Sequence, residues 1–218
     1  VSAGLDTVAL RAPAHPVAQA LLRAAERPIA APSANRSGRI SPTTAQHVAE
    51  ELGDKVSLIL DGGACPLGIE STVAQVRDGK VFVLRPGSIT REAIAAIAGP
   101  VRLADGGGPL VSPGQMQSHY APRLPLRLNA EQAGPREAAL AFADKIPQGA
   151  AKVINLSASG DLTEAAANLF AMLRQLDSGE FSAIAIAPIP GHGLGEAIND
   201  RLCRAANLPR HGAAKAGR

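Results

Sequence analysis

The apolar residues of the first hundred positions form short clusters whose spacing alternates between two periods. Strand-like runs over residues 5–11, 28–32 and 57–60 are separated by stretches with helical spacing over 16–26 and 43–52. Alternation of this kind predicts a mixed α/β domain in which strands and helices follow one another along the chain.

A hairpin and a helix are predicted after these runs. The apolar stretches 71–76 and 81–84 flank Asp78-Gly79, a pair that favours a type I′ turn. Helical spacing then covers residues 90–98, with Thr90 as the predicted N-cap and Gly99-Pro100 as the stop.

Between residues 105 and 125 the composition shifts to glycine, proline and polar residues, which is typical of a linker. Beyond it the pattern is βαβαβ and predicts a parallel sheet with flanking helices. The predicted strands are 126–128, 152–155 and 183–187, and the predicted helices are 135–145, 163–176 and 196–206. The expected organisation is therefore a domain over 1–104, a linker over 105–125 and a second α/β domain over 126–218.

Composition narrows the class of protein. The 218 residues are 46% hydrophobic, so the chain can bury a core, but only 2% are aromatic, which argues against a stacking platform for single-stranded nucleic acid. The net charge of +3 mildly favours anionic ligands. Two distant cysteines predict free thiols in a reducing cytoplasm, and no apolar run approaches the roughly 20 residues of a membrane span. Because Val1 stands directly before a strand-like run, we expect the chain to be the later part of a longer protein.

The most informative stretch is the loop over residues 31–44. It sets hydroxyl groups, an asparagine amide and two guanidinium groups between a strand-like and a helix-like run. Forked arginine donors match phosphate oxygens, and the following helix N-terminus adds unpaired N–H groups. The same residues also suit an ordinary polar loop in which Ser41-Pro42 form the N-cap and first position of the next helix. The residues alone leave both interpretations open.

Two further patterns carry weaker signals. The glycines of residues 191–195 precede a predicted helix like a dinucleotide phosphate loop, but two nearby prolines favour a structural turn. The five histidines have no metal-ligand spacing, so we expect no protein-borne metal site.

Several motifs together resemble one known family. GLDTVALRAPAHP, PIAAPSANRSGRISPT, DGGACPLGIESTV and LRPGSIT occur in order, and SPGQMQSHYAP and GHGLGEAINDRLCRAA follow. They resemble the threonylcarbamoyl-AMP synthase (Sua5/YciO/YrdC) family, in its two-domain branch. The resemblance implies the C-terminal part of a YrdC-like twisted α/β domain, followed by a small Rossmann-like domain with a parallel sheet. It also implies that an N-terminal part of the catalytic domain is lacking.

The resemblance implies a nucleotidyltransferase. Members make threonylcarbamoyl-AMP and pyrophosphate from L-threonine, bicarbonate and ATP with Mg²⁺, for the t6A modification of tRNA. Expected partners are these substrates and, further, tRNA or t6A-transferase proteins, without a membrane. A rival interpretation is a non-catalytic nucleotide- or RNA-binding module, and a third is dinucleotide binding by the second domain.

By resemblance, two groups of residues bind the substrates, and no side chain acts as a covalent nucleophile. The ATP group comprises Thr7, Ser33, Asn35, Ser41, Arg85 and Tyr120, and the threonine group comprises Arg11, Ala31 and Ser71. Structural alternatives remain for several of them: an exposed strand end for Arg11, an open strand face for Ser71 and a packing anchor for Tyr120. Glu70, beside Ser71, is expected to brace neighbouring arginines.

Overall fold

The computed structural model describes residues 4, 6–104, 120–177 and 179–208. Within them, two separate sheets mark two halves of the molecule, one of three strands and one of four. The expected α/β class is confirmed, although the domain boundaries 1–104, 105–125 and 126–218 stay a prediction. Most of the predicted linker lies outside the described residues, which resume at Tyr120.

The first half contains three helices and a small sheet. Its elements are α1 (Pro16–Ala25), α2 (Ala45–Leu52), β1 (Val73–Arg77), β2 (Lys80–Arg85), α3 (Arg91–Ala98) and β3 (Val101–Leu103). The predicted hairpin is confirmed: β1 and β2 pair antiparallel, and Asp78 and Gly79 both have the positive φ of a type I′ turn. Thr90 caps α3 as predicted by accepting a hydrogen bond from the Ala93 N–H.

Several predictions for the first half were wrong. Residues 7–11, 28–32 and 57–60 form no strand in the described structure, because these extended segments have no ladder partner there. The helix predicted from residue 43 begins two residues later and is capped by Thr44 rather than by Ser41. Strand β3, which pairs parallel with β2, was not predicted.

The second half is a parallel sheet with two helices. Its elements are β4 (Leu126–Arg127), β5 (Ala138–Ala141), β6 (Lys152–Asn155), α4 (Leu162–Leu176), β7 (Ile184–Ile186) and α5 (Leu194–Ala205). The strand order is β4-β7-β5-β6, and all three pairings are parallel. The helix predicted over 135–145 is wrong, since its alanine-rich centre is the fully buried strand β5.

The core of the second half lies between this sheet and its helices. Leu140, Leu169, Phe170 and Ile198 are at most 1% exposed and belong to one apolar cluster. Ile40 and Ile69 of the first half join the same cluster. Within the part of the chain that the structure describes, no helix is both long and apolar enough to cross a bilayer.

Close approach and ion pairing join the two halves. At Gly68, φ is +61°, and a Cβ there would lie 2.4 Å from the carbonyl oxygens of Ala166 and Ala167 in α4. Arg174 of α4 donates to the Ile40 carbonyl and to the Glu51 carboxylate. These contacts bring the loop that precedes α2 and the segment around Gly68 onto the second half.

Candidate active site

A buried polar cluster lies where the two halves meet. Ser41 donates a hydrogen bond from Oγ to Glu70 Oε1 over 2.7 Å, and Arg201 donates from Nε to Glu70 Oε2 over 2.7 Å. The Arg201 side chain, on α5, is only 1% exposed. The prediction that Glu70 braces an arginine is therefore confirmed, with a partner from the other half of the chain.

Asp200 and Arg204 extend this cluster along α5. The Asp200 carboxylate accepts from Arg201 Nη1 over 2.8 Å and from Arg204 Nε over 3.0 Å. Three guanidinium groups, those of Arg85, Arg201 and Arg204, thus stand against the two carboxylates of Glu70 and Asp200. The cluster carries a net positive charge in a place largely shielded from water, which favours an anionic ligand.

Arg85 occupies the end of β2 in this cluster and is 4% exposed. Its Nη2 donates to the Ser71 carbonyl over 2.8 Å. Gly87 allows the approach, since a Cβ there would lie 2.3 Å from the Thr72 nitrogen. The turn after β2 therefore packs directly on residues 70–72 and aligns Arg85 with them.

The electrostatics of Arg85 reflect this crowding. Burial, and then the positive charge of Arg201, lower the pKa of the Arg85 guanidinium, and Arg11 contributes in the same direction. Arg11 is exposed, yet it lies close enough for its charge to act on Arg85. A bound anion would relieve this repulsion between like charges.

Glu70 remains ionised in the cluster. Burial alone would raise the pKa of the Glu70 carboxyl, but the charge of Arg201 and the hydrogen bonds from Arg201 and Ser41 outweigh burial and hold the pKa below its usual value. Because the Ser41 proton is directed at this carboxylate, the lone pairs of Ser41 Oγ are the groups left to meet a ligand.

Tyr120 packs under the cluster. It is 1% exposed, its ring stacks on Phe170 at 5.4 Å between centroids, and the Arg201 guanidinium lies 5.3 Å from its centroid. The next residue, Ala121, donates its N–H to the Gly38 carbonyl over 2.8 Å. Tyr120 is thus a packing anchor in this structure and also lies beside the groups expected to bind ATP.

The remaining predicted site residues lie in segments outside the helices and strands. The Asn35 amide donates to the carbonyls of Arg36 and Arg39, which closes the loop before α2. Thr7, Ala31 and Ser33 are exposed, and none of them takes part in the hydrogen bonds described above for the cluster. The structure thus brings Ser41, Ser71, Arg85 and Tyr120 together, with Arg11 within electrostatic reach and Asn35 in the adjoining loop.

Sequence reasoning missed the contribution of α5. Arg201, Asp200 and Arg204 follow the glycine pattern 191–195, for which the sequence favours a structural turn over a dinucleotide phosphate loop. That interpretation gains a steric reason, because a Cβ at Gly195 would lie 1.9 Å from the Pro190 carbonyl oxygen. The missed signal was the DRLCR spacing, which places two arginines and an aspartate on neighbouring positions of one helix turn.

Comparison with known proteins places the chain in a family. Residues 1–87 match the Sua5/YciO/YrdC family model, described as telomere recombination, and residues 89–207 match the model described as the C-terminal domain of threonylcarbamoyl-AMP synthase. The chain is 39% identical to threonylcarbamoyl-AMP synthase of Bacillus subtilis and 35% identical to that of Pyrococcus abyssi. These alignments cover 94% of the chain and 65% and 66% of the two relatives.

A solved structure agrees with the sequence matches. The crystal structure of Pyrococcus abyssi Sua5 complexed with L-threonine superposes with a TM-score of 0.83 at 34% identity, over 94% of this chain and 65% of that one. The chain thus spans about two thirds of the length of these relatives. Its two matched regions and shared fold show that it belongs to the threonylcarbamoyl-AMP synthase family.

Proposed function

We propose that this chain forms the nucleotide-binding part of an L-threonylcarbamoyladenylate synthase. The enzyme converts L-threonine, bicarbonate and ATP into threonylcarbamoyl-AMP and pyrophosphate, for t6A modification of tRNA in the cytoplasm. The observation that carries the proposal is the convergence of Ser41, Ser71 and Arg85, from three separate segments, on one buried cluster of net positive charge.

The chemistry suits such a site because it needs alignment and charge neutralisation. The threonine amine and bicarbonate condense to a carbamate with loss of water. A carbamate oxygen then attacks the α-phosphorus of ATP in line, and the bond to pyrophosphate breaks. Fixed guanidinium groups stabilise the charge that builds on the phosphate oxygens, so no covalent nucleophile is required.

The family resemblance supplies the individual roles, and for Ser41, Ser71 and Arg85 their place in the cluster supports it. Arg85 faces the phosphates, and Ser41, Asn35, Ser33, Thr7 and Tyr120 surround the nucleotide. Arg11 pairs with the threonine carboxylate, in the forked geometry that guanidinium and carboxylate share, while Ala31 and Ser71 contact the same substrate. The relative from Pyrococcus abyssi was crystallised with L-threonine, which supports threonine as the substrate.

Mg²⁺ would enter with the nucleotide. Among the described residues, no group of three or more His, Cys, Asp or Glu side chains could hold a metal ion. The side chains of Glu70 and Asp200 are already engaged by arginines. The phosphate oxygens and water would therefore supply most of its ligands, and the ion would neutralise phosphate charge.

That an N-terminal part of the catalytic domain is lacking stays a prediction, as do tRNA or t6A-transferase proteins as partners.

The direct test is Arg85→Ala in the natural protein that carries these residues. We expect pyrophosphate release with ATP, threonine and bicarbonate to fall at least about 100-fold, since a buried charge-stabilising donor is lost. The control is Arg127→Ala, because Arg127 pairs with Glu137 within the second half. Circular dichroism checks folding of both variants.

Unchanged turnover in folded Arg85→Ala would contradict the assignment. If the unmutated protein binds ATP or RNA with a steep salt dependence but releases no pyrophosphate, the chain is a binding module instead. Binding of NAD would support the dinucleotide interpretation of the second domain.

A further inference from the structure

Arg201 is the most buried charged side chain of the cluster, and it comes from the second half of the molecule. Its guanidinium is 1% exposed and is held between Glu70 of the first half and Asp200 of its own helix. Burial alone would lower the pKa of Arg201, yet the two carboxylates raise it, so the group stays charged.

A contact that only joined two domains would not need this group. Desolvating a charge is costly, and an apolar residue of similar volume commonly serves as well or better in a buried interface. Leu202, the next residue of α5, packs in the apolar cluster in this way. A buried guanidinium in this place therefore favours a role that depends on its fixed donor geometry.

Hydrogen bonds to Glu70 link the Arg201 guanidinium to the Ser41 hydroxyl. One carboxylate oxygen accepts from Arg201 Nε and the other accepts from Ser41 Oγ, each over 2.7 Å. With both oxygens engaged, the carboxylate is held in one orientation, and so is the Ser41 hydroxyl. Glu70 is thus a relay between helix α5 and a residue expected to bind ATP.

The same guanidinium has a second connection to the site. It lies over the Tyr120 ring, which is itself stacked on Phe170. Its Nη2 is buried and, within residues 6–104, 120–177 and 179–208, has no hydrogen-bond partner. Nη2 shares with Nε the edge of the guanidinium that faces Glu70. One donor on this edge is therefore left without a partner among the described residues.

We propose that Arg201 is a positioning residue of the nucleotide site, which makes the second domain an integral part of that site. It holds Glu70, and through Glu70 it orients Ser41, while it also packs the Tyr120 ring. This inference rests on the proposed function only in naming ATP as the ligand.

The experiment measures ATP affinity by calorimetry and steady-state kinetics in Arg201→Lys, with Arg127→Lys as the matched control. Lysine keeps the charge but cannot bond Glu70 and Asp200 in the same fork. We expect the Kd and KM for ATP to rise about tenfold, the size expected when a charge-assisted hydrogen-bond network is broken. The KM for threonine should change less than about twofold. Loss of stability alone would reduce the active fraction and leave both KM values unchanged.

A double-mutant cycle tests the relay itself. Glu70→Gln and Arg201→Gln should each weaken ATP binding. The double variant should have an affinity for ATP no lower than that of the single variant with the lower affinity, because both changes interrupt the same set of hydrogen bonds. Additive losses would overturn the relay. If Arg201→Gln fails to fold, Arg201→Lys takes its place in the same cycle with Glu70→Gln.

Calorimetry separates the two hypotheses. An unmutated protein that binds ATP but releases no pyrophosphate contradicts the proposed synthase, while the Arg201 inference is still tested by Kd. Unchanged ATP affinity in folded Arg201→Lys overturns the inference and leaves the synthase proposal standing.

Discussion

The two halves of the molecule differ in where their stability comes from. Helices α4 and α5 bury whole faces against the four-stranded sheet, whereas α1, α2 and α3 contain no buried residue. Large apolar side chains of the first half are correspondingly open to solvent, including Leu10 at 90%, Leu58 at 75% and Ile97 at 92%. The second half has a core of its own, and the first half shares in it through Ile40 and Ile69.

The second half therefore acts as a scaffold, and the first half supplies most of the proposed site. Most residues expected to touch substrate lie in the first half, where few side chains are buried. The interface with the second half fixes them by the close contact at Gly68 and the pairing of Glu70 with Arg201. The residues proposed to bind substrate therefore depend on the other half for their order.

Separating the halves should produce the largest effect. A fragment over residues 120–208 should unfold cooperatively on heating, since it keeps the α4, α5 and sheet core. A fragment over residues 1–104 should show no cooperative transition. Differential scanning calorimetry measures both transitions. A sharp transition in the isolated fragment over residues 1–104 would contradict the comparison.

Leucine truncation sharpens the contrast at single residues. Leu169→Ala in α4 should lower the free energy of unfolding by about 2–5 kcal/mol, because a fully buried side chain leaves a cavity. Leu58→Ala makes the same chemical change at an exposed site and should stay within about 0.5 kcal/mol. Urea denaturation followed by circular dichroism gives both values, and equal losses would show that the first half has a core of its own.

Two glycines test the close contact between the halves. Gly68→Ala and Gly79→Ala both force a side chain into a positive φ, at a cost of about 1 kcal/mol. Only at Gly68 would the new Cβ meet α4 backbone, whereas nothing lies within 4 Å at Gly79. The Gly68 variant should therefore lose about 2 kcal/mol more in thermal denaturation. Similar losses of stability in both variants would mean that the contact between Gly68 and α4 can open without a measurable loss of free energy.

The smallest expected effect is a change in acid sensitivity at Glu70. Its folded pKa is held below the unfolded value near 4.5, so the ionised carboxylate stabilises the folded protein above that pH. The contribution is lost as the pH falls through the folded pKa. Glu70→Gln should be less stable at neutral pH and should lose less stability between about pH 5 and pH 3. Melting temperatures of the unmutated protein and of Glu70→Gln across this pH range measure the difference. If the two curves of melting temperature against pH run parallel, the lowered pKa of Glu70 is contradicted.

Local chemistry made part of the fold predictable. The hairpin around Asp78-Gly79 and the capped helix after Thr90 are encoded by a few neighbouring residues. Strand β5 was mistaken for a helix because alanine favours helices, while complete burial overrides that preference. The short strand β3 has too few residues to show a period.

The site was predictable only where its residues lie in compact motifs. Ser41, Ser71 and Arg85 belong to such motifs, and the structure brings them together. The pairing of Glu70 with Arg201 spans 131 positions, and no local pattern encodes it. An arginine in an amphipathic helix normally belongs to the solvated face, so its burial could not be predicted without the second sheet in place.

The strand order of the second sheet has a consequence for synthesis on the ribosome. Strand β7 inserts between β4 and β5, and Arg201 follows on the helix after it, so neither is available until nearly all of the described chain has emerged. Glu70 and the loop before α2 are made much earlier and must wait without their partner. Nascent chains should therefore acquire ligand affinity late and abruptly, when the last helix leaves the exit tunnel.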